Sequence, residues 1–138
     1  RQVMYVFCAA QSESDIFGEW FNEEKDAVVT IYKDGNSISG KTTWLKEPFD
    51  SKGNAKLDLK NPDEKLRSRK RMGLKIMHSF KYNDQENIWE DGRIYDPKKG
   101  KLYGGTATLV NENELKLKGY IISMPFLGRT ATWTRKTN

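Results

Sequence analysis

One cysteine and one histidine, Cys8 and His78, are all that this 138-residue sequence holds for thiol or imidazole chemistry. A lone cysteine excludes an intrachain disulfide and a cysteine-based zinc site. A lone histidine leaves no His-Glu-x-x-His pair, and no Gly-x-Ser-x-Gly elbow is present either. No apolar run approaches the roughly 20 residues that a bilayer-spanning helix requires. Fixed-period repeats and low-complexity linkers are also missing. The usual nucleophilic and metal-dependent constellations are therefore gone, and a binding protein is expected rather than an enzyme. Only carboxylate- or lysine-based catalysis stays open.

What is present describes one domain. Aromatic residues make up 12% of the chain, which argues against disorder. The length suffices to bury a sizeable core. A net charge of +5 permits contact with acidic surfaces without demanding it. Near the start, Val3-Met4-Tyr5-Val6-Phe7-Cys8-Ala9-Ala10 is an apolar run that ends in small residues before Gln11. It reads as the tail of a secretory signal peptide, so residues 1–10 are expected to be a signal remnant and the protein periplasmic or secreted. Acylation of Cys8 and an ordinary first strand are the competing readings. Residues 16–138 are expected to form the folded domain.

Strand and turn signals then recur along the chain. Gly18 to Phe21 opens a short strand. Ala27 to Lys33 is rich in β-branched residues, and Asp34-Gly35-Asn36 turns it into Ser37 to Leu45, with Ile38, Gly40, Thr42 and Trp44 on one face. A polar break follows, and Asn61-Pro62-Asp63-Glu64 has the cap and first-turn residues of a short helix. In Gly73 to Tyr82, alternation puts Leu74, Ile76, His78 and Phe80 together. Asn87 to Tyr95 is expected to bend at Gly92, and Asp96-Pro97-Lys98-Lys99-Gly100 turns the chain into Lys101 to Val110. In Glu114 to Ile122, Leu115, Leu117, Gly119 and Ile121 share a face, and Arg129 to Arg135 closes the series. Eight strands joined mostly by tight turns predict an all-β, antiparallel, up-and-down barrel with one short helix; an open sandwich is the competitor.

Few residues stand out chemically. Lys65 to Lys75 is strongly basic, and Arg67, Arg69 and Arg71 suit an anionic group at the barrel mouth, or simply a solvated loop. No aromatic lies between Arg67 and Lys75 for stacking bases, so nucleic acid is not an expected partner. His78, among apolar face-mates, is expected inside the barrel, either as a satisfied core imidazole or as a polar anchor for a ligand. Asp96 before Pro97 caps its own turn, which sets aside an acid–base pair with Asp91. Gly104-Gly105 precedes no helix and serves close strand approach rather than phosphate binding. Val29, Ile31, Trp44, Leu74, Ile76, Phe80, Tyr103, Leu115, Leu117 and Ile121 are the expected interior, which either leaves a cavity or packs solid.

Gly18-x-Trp20 at the first strand, with Thr132-Trp133-Thr134-Arg135 at the last, resembles the lipocalin (calycin) pattern of an early tryptophan covered by a late arginine. Further segments are Asn61-Pro62-Asp63, Leu66-Arg67-Ser68-Arg69, Gly73-Leu74, Trp89 with Gly92, and Ile94-Tyr95-Asp96-Pro97. They continue with Gly100-Lys101, Tyr103, Gly119-Tyr120 and Gly128-Arg129-Thr130. Together they resemble the exported bacterial family of domain of unknown function 2147 (DUF2147) over residues 16 to 135. Lys70-Arg71-Met72 departs from it, where that family usually carries a proline-containing link. The resemblance implies a barrel and export but no activity. The expectation is thus an exported barrel that holds an apolar or amphipathic small molecule, with no cofactor. Its ligand contacts are expected from Trp44, Leu74, Ile76, His78, Phe80, Tyr103, Leu117, Arg67, Arg69 and Arg71. The alternative is a filled barrel that binds an envelope protein, polymer or anionic headgroup through Tyr120, Trp89 and the basic stretch.

Overall fold

Eight antiparallel strands follow one another around a closed barrel in sequence order. They are β1 (Gly18–Phe21), β2 (Ala27–Asp34), β3 (Ser37–Leu45), β4 (Lys75–Asn83), β5 (Ile88–Asp96), β6 (Lys101–Asn111), β7 (Glu114–Ile121) and β8 (Met124–Arg135). The computed structural model describes residues 11–137, so the signal remnant expected over residues 1–10, with Cys8, lies outside the described residues. Up-and-down order puts alternate loops at opposite ends. The β2–β3, β4–β5 and β6–β7 turns share one end with a 3-10 turn at Glu13–Ile16. The β1–β2, β5–β6 and β7–β8 turns share the other with the long β3–β4 excursion, residues 46–74.

The first end is closed by its own side chains. Ile16, Trp20, Ile31, Ile38, Phe80 and Trp89 are fully buried there. Trp20 Nε1 donates to the Ile16 carbonyl at 2.9 Å, and Trp89 Nε1 donates to that of Glu13 at 3.2 Å. Both indoles thus bury their area with the polar edge satisfied. Arg135 covers the plug. Its guanidinium lies 4.3 Å from the Trp20 ring centroid and donates to the carbonyls of Phe17, Asp15 and Glu112, each at 2.7 Å. Gly18 makes room for this. At φ +123° it holds a conformation that side chains avoid, and a Cβ there would lie 2.9 Å from Arg135 Nη1.

Bulges, which an alternating pattern does not reveal, reassign several faces. Val28 pairs with Trp44 while Val29 pairs with Thr42, so Thr43 is the extra residue and Trp44 turns outward. Trp44 is 40% exposed and rests edge-on against Phe21, contrary to its expected interior place. In β4, Ile38 pairs with Phe80 but Gly40 with Met77, and Ser79 takes φ +63°. Met77 and Phe80 therefore point inward, and His78 is displaced from the interior face to a half-buried position opposite Arg93. Asp91, at φ +58°, bends β5 beside Gly92, where the strand was expected to bend. Trp89, expected as a surface contact, is instead fully buried because the 3-10 turn supplies an acceptor for its N–H.

The expected helix is a single 3-10 turn, Glu64–Leu66, capped by Asp63 rather than Asn61. Asn61 is buried and directed to Asp58. Asp58 lies at zero exposure and accepts from Tyr95 Oη at 2.5 Å, Asn61 Nδ2 at 2.8 Å and Arg69 Nη2 at 2.9 Å. Burial alone would raise its pKa, but the three donors outweigh burial and hold the carboxyl below its ordinary value. Burial and the neighbouring carboxylate push the Tyr95 phenol up to about 12. This node pins the excursion to β5.

Candidate functional site

The other half of the barrel is hollow. A cavity of about 520 Å³ opens at the mouth end, and every strand from β2 to β8 contributes to its wall. Its inner wall is apolar: Val29, Ile76, Ile94, Leu117, Ala131 and Trp133, interrupted by Thr42 and Tyr103. Small residues keep the space open, since Gly119 and Ala131 stand where a larger side chain would fill it. The floor is the packed half described above. Phe80 lies over the neighbouring strands β5 and β6 there because Gly92 and Gly105 lack side chains. A Cβ at Gly105 would lie 2.6 Å from its ring, and one at Gly92 would collide with it.

The rim differs in chemistry. Arg71, Lys98, Lys99 and Arg129 ring the opening with Asn22, Glu24 and Asp96, while Leu45, Ile121 and Leu127 give it an apolar edge. Lys98 is held by Asp26 at 2.8 Å, and that hydrogen bond raises the Lys98 pKa. Arg129 meets Glu23 at 3.3 Å. Arg71 donates Nε–H to the Leu57 carbonyl at 3.3 Å, and Arg71 and Lys99 both line the opening. The opening thus sets cationic side chains, two of them paired with carboxylates, over an apolar wall.

Of the expected ligand contacts, the structure gathers Ile76, Tyr103, Leu117 and Arg71 around the cavity. Trp44 stands outside the wall, and Phe80 belongs to the floor. Leu74 is buried at the foot of the excursion, where its carbonyl accepts from Thr42 N. Arg67 and Arg69 are spent within the excursion, on the Asn61 carbonyl and on Asp58. His78 does not line the cavity. Burial and the charge of Lys75 lower its pKa, so the imidazole is neutral near pH 7. Ile94, Thr42, Lys98, Lys99 and Arg129 escaped the sequence reading. Alternation along β5 could have found Ile94, but the two lysines read only as turn residues. Among the described residues no three His, Cys, Asp or Glu side chains are grouped to hold a metal ion.

Comparison with known proteins agrees with this geometry. One solved structure, described as "Protein HP1028 from the human pathogen Helicobacter pylori belongs to the lipocalin family", superposes with a TM-score of 0.74 at 20% identity. The match covers 89% of this chain and 84% of that one, and at such identity it speaks for the fold. No curated protein sequence matches significantly. Residues 18–135 match the family described as "Uncharacterized protein conserved in bacteria (DUF2147)", a span running from the glycine beside Arg135 to Arg135 itself. The chain belongs to this DUF2147 family, built as a lipocalin-like barrel.

Proposed function

We propose that this protein is an exported, non-enzymatic carrier or sensor that takes an amphipathic anion, tail inward, into the hollow half of its barrel. The observation that carries this reading is the cavity itself. About 520 Å³ lies within the roughly 300–1,000 Å³ of small-molecule sites, with apolar walls and a cationic rim. A long-chain carboxylate would lay its chain against Ile76, Ile94 and Leu117 and its head near Arg71 and Lys99. The hollow half sets this reading above a filled barrel that works through its surface alone.

Native mass spectrometry of protein purified without delipidation tests it, together with displacement of anilinonaphthalene sulfonate by hexadecanoic acid. The expected result is an extra mass released by organic solvent, with the acid displacing the dye more strongly than hexadecanol does. Leu117→Glu should remove both signals while the fold is retained. An apo mass together with no dye uptake by the wild-type protein would overturn the reading.

A further inference from the structure

The distribution of exposed apolar side chains is one-sided. Phe49, Leu59, Met72, Ile122, Met124 and Phe126 are all exposed, and all sit on loops or strand ends at the mouth. At the closed end, among the described residues, only Val110 matches them. The β7–β8 hairpin concentrates the effect. Ile121 pairs with Met124, whereas Tyr120 already pairs with Gly128, so Pro125, Phe126 and Leu127 have no partner in β7. This three-residue bulge throws Phe126 clear of the wall to 80% exposure, while Leu127 and Ile121 at its base line the cavity. Apolar surface therefore runs unbroken from the tip of the hairpin into the binding space.

Charge accompanies it. Residues 46–74, which flank the same mouth, carry nine Lys or Arg against five Asp or Glu, a net +4 of the protein's +5. The strand faces that look outward carry Glu19, Lys41, Lys81 and Lys118, so the wall itself is polar. That is the inverse of a membrane-spanning barrel, whose lipid face is apolar and whose lumen is polar. The molecule thus has a polar body and one end that is both apolar and cationic.

We propose that the mouth end docks on an anionic lipid bilayer, with Phe126, Ile122 and Met124 entering the interface and the lysines of residues 46–74 lying against the headgroups. Charge complementarity selects this occupant. A second copy would bring the same positive excess face to face, and a nonpolar patch that protrudes as a hairpin tip suits a deformable interface better than a rigid groove. Aromatic and aliphatic insertion supplies the short-range hold, and each cation near an anionic surface adds a salt-sensitive share. Docking stands on the hairpin and the charge alone. Its role as the route by which a lipid-derived ligand reaches the cavity rests on the function proposed above.

Flotation of the full chain with vesicles of phosphatidylcholine, with and without phosphatidylglycerol, tests the docking. Binding is expected only to the anionic vesicles and should fall as salt is raised. Phe126→Ser should weaken it by roughly tenfold or more. Dye uptake and thermal stability should stay unchanged in that variant, because Phe126 neither lines the cavity nor packs in the core. Leu117→Glu should do the opposite, losing dye uptake and keeping vesicle binding. A wild-type protein that ignores anionic vesicles, or a Phe126→Ser variant that floats as well as wild type, overturns the proposal. Self-association that Phe126→Ser abolishes, without vesicle binding, would assign the hairpin to a second copy instead. Failure of the cavity reading would appear separately, as vesicle binding without dye uptake.

Discussion

At the scale of single residues, Arg135 does more than its place as the last residue of β8 suggests. One guanidinium satisfies three backbone carbonyls and stacks on an indole, and lysine has neither the fork nor the planarity to repeat this. Removing it as Arg135→Ala is expected to cost roughly 2–4 kcal/mol in urea denaturation, from lost charge-assisted hydrogen bonds and cation–π contact. Arg135→Lys should restore less than half of that loss, and full restoration would show that charge alone matters. This part of the fold was legible. Gly18, Trp20, Trp133 and Arg135 read as one pattern because each does a job that few other residues can do. Single residues elsewhere were legible only where the backbone stayed regular. Leu115 and Leu117 in β7 point inward as their alternation requires. His78 and Trp44 do not, because Ser79 and Thr43 each shift the period by one.

At the scale of elements, strand boundaries followed the turn residues closely where Gly35 and the Asp96–Gly100 turn impose their geometry. However, β8 begins at Met124, five residues before the expected Arg129, because the chain turns at Ile122 and Ser123, which carry no turn signal. The conformation of residues 46–74 did not follow, because its organiser is a contact 37 residues long in sequence, Tyr95 to Asp58. That node has a signature in pH. Asp58 titrates below its ordinary value when folded, so its contribution is complete above about pH 4 and fades as the pH falls through the folded value. Tyr95 titrates at about 12 when folded against 10.0 ordinarily, so its contribution is complete below pH 10 and fades on the way to 12. Asp58→Asn should flatten the acid limb of a plot of urea midpoint against pH, and Tyr95→Phe the alkaline limb. Unchanged limbs would show that the node is not coupled to folding. A second element-scale test concerns the floor. Gly105→Ala would place a methyl 2.6 Å from Phe80 and 2.8 Å from Ile94, an overpacking worth about 1–3 kcal/mol. Combining it with Phe80→Leu should recover part of the loss, and strict additivity of the two would place the strain elsewhere.

At the scale of the whole molecule, the barrel divides into a half that is filled and a half that is not, and the two were not distinguishable in the sequence. Both draw on alternating apolar positions. What separates them is the size of inward-facing neighbours on adjoining strands, Phe80 filling the space left by Gly92 and Gly105 below, small Gly119 and Ala131 leaving it open beside Leu117 above. That matching is set by three-dimensional register and has no linear signal. The ring itself closes unevenly. β1 meets β8 through two residue pairs, Trp20 with Arg135 and Phe21 with Thr134, whereas β7 and β8 pair from Glu114–Thr134 to Ile121–Met124. A barrel has no free edge only while its last pair of strands holds. Once the β1–β8 contact lets go, β8 stays paired with β7 but becomes, with β1, an open sheet edge on which a strand of another molecule can pair. Arg135 is therefore also a clasp against exchange of strands between neighbours, and its loss would register in the protein's behaviour at high concentration as well as in its melting.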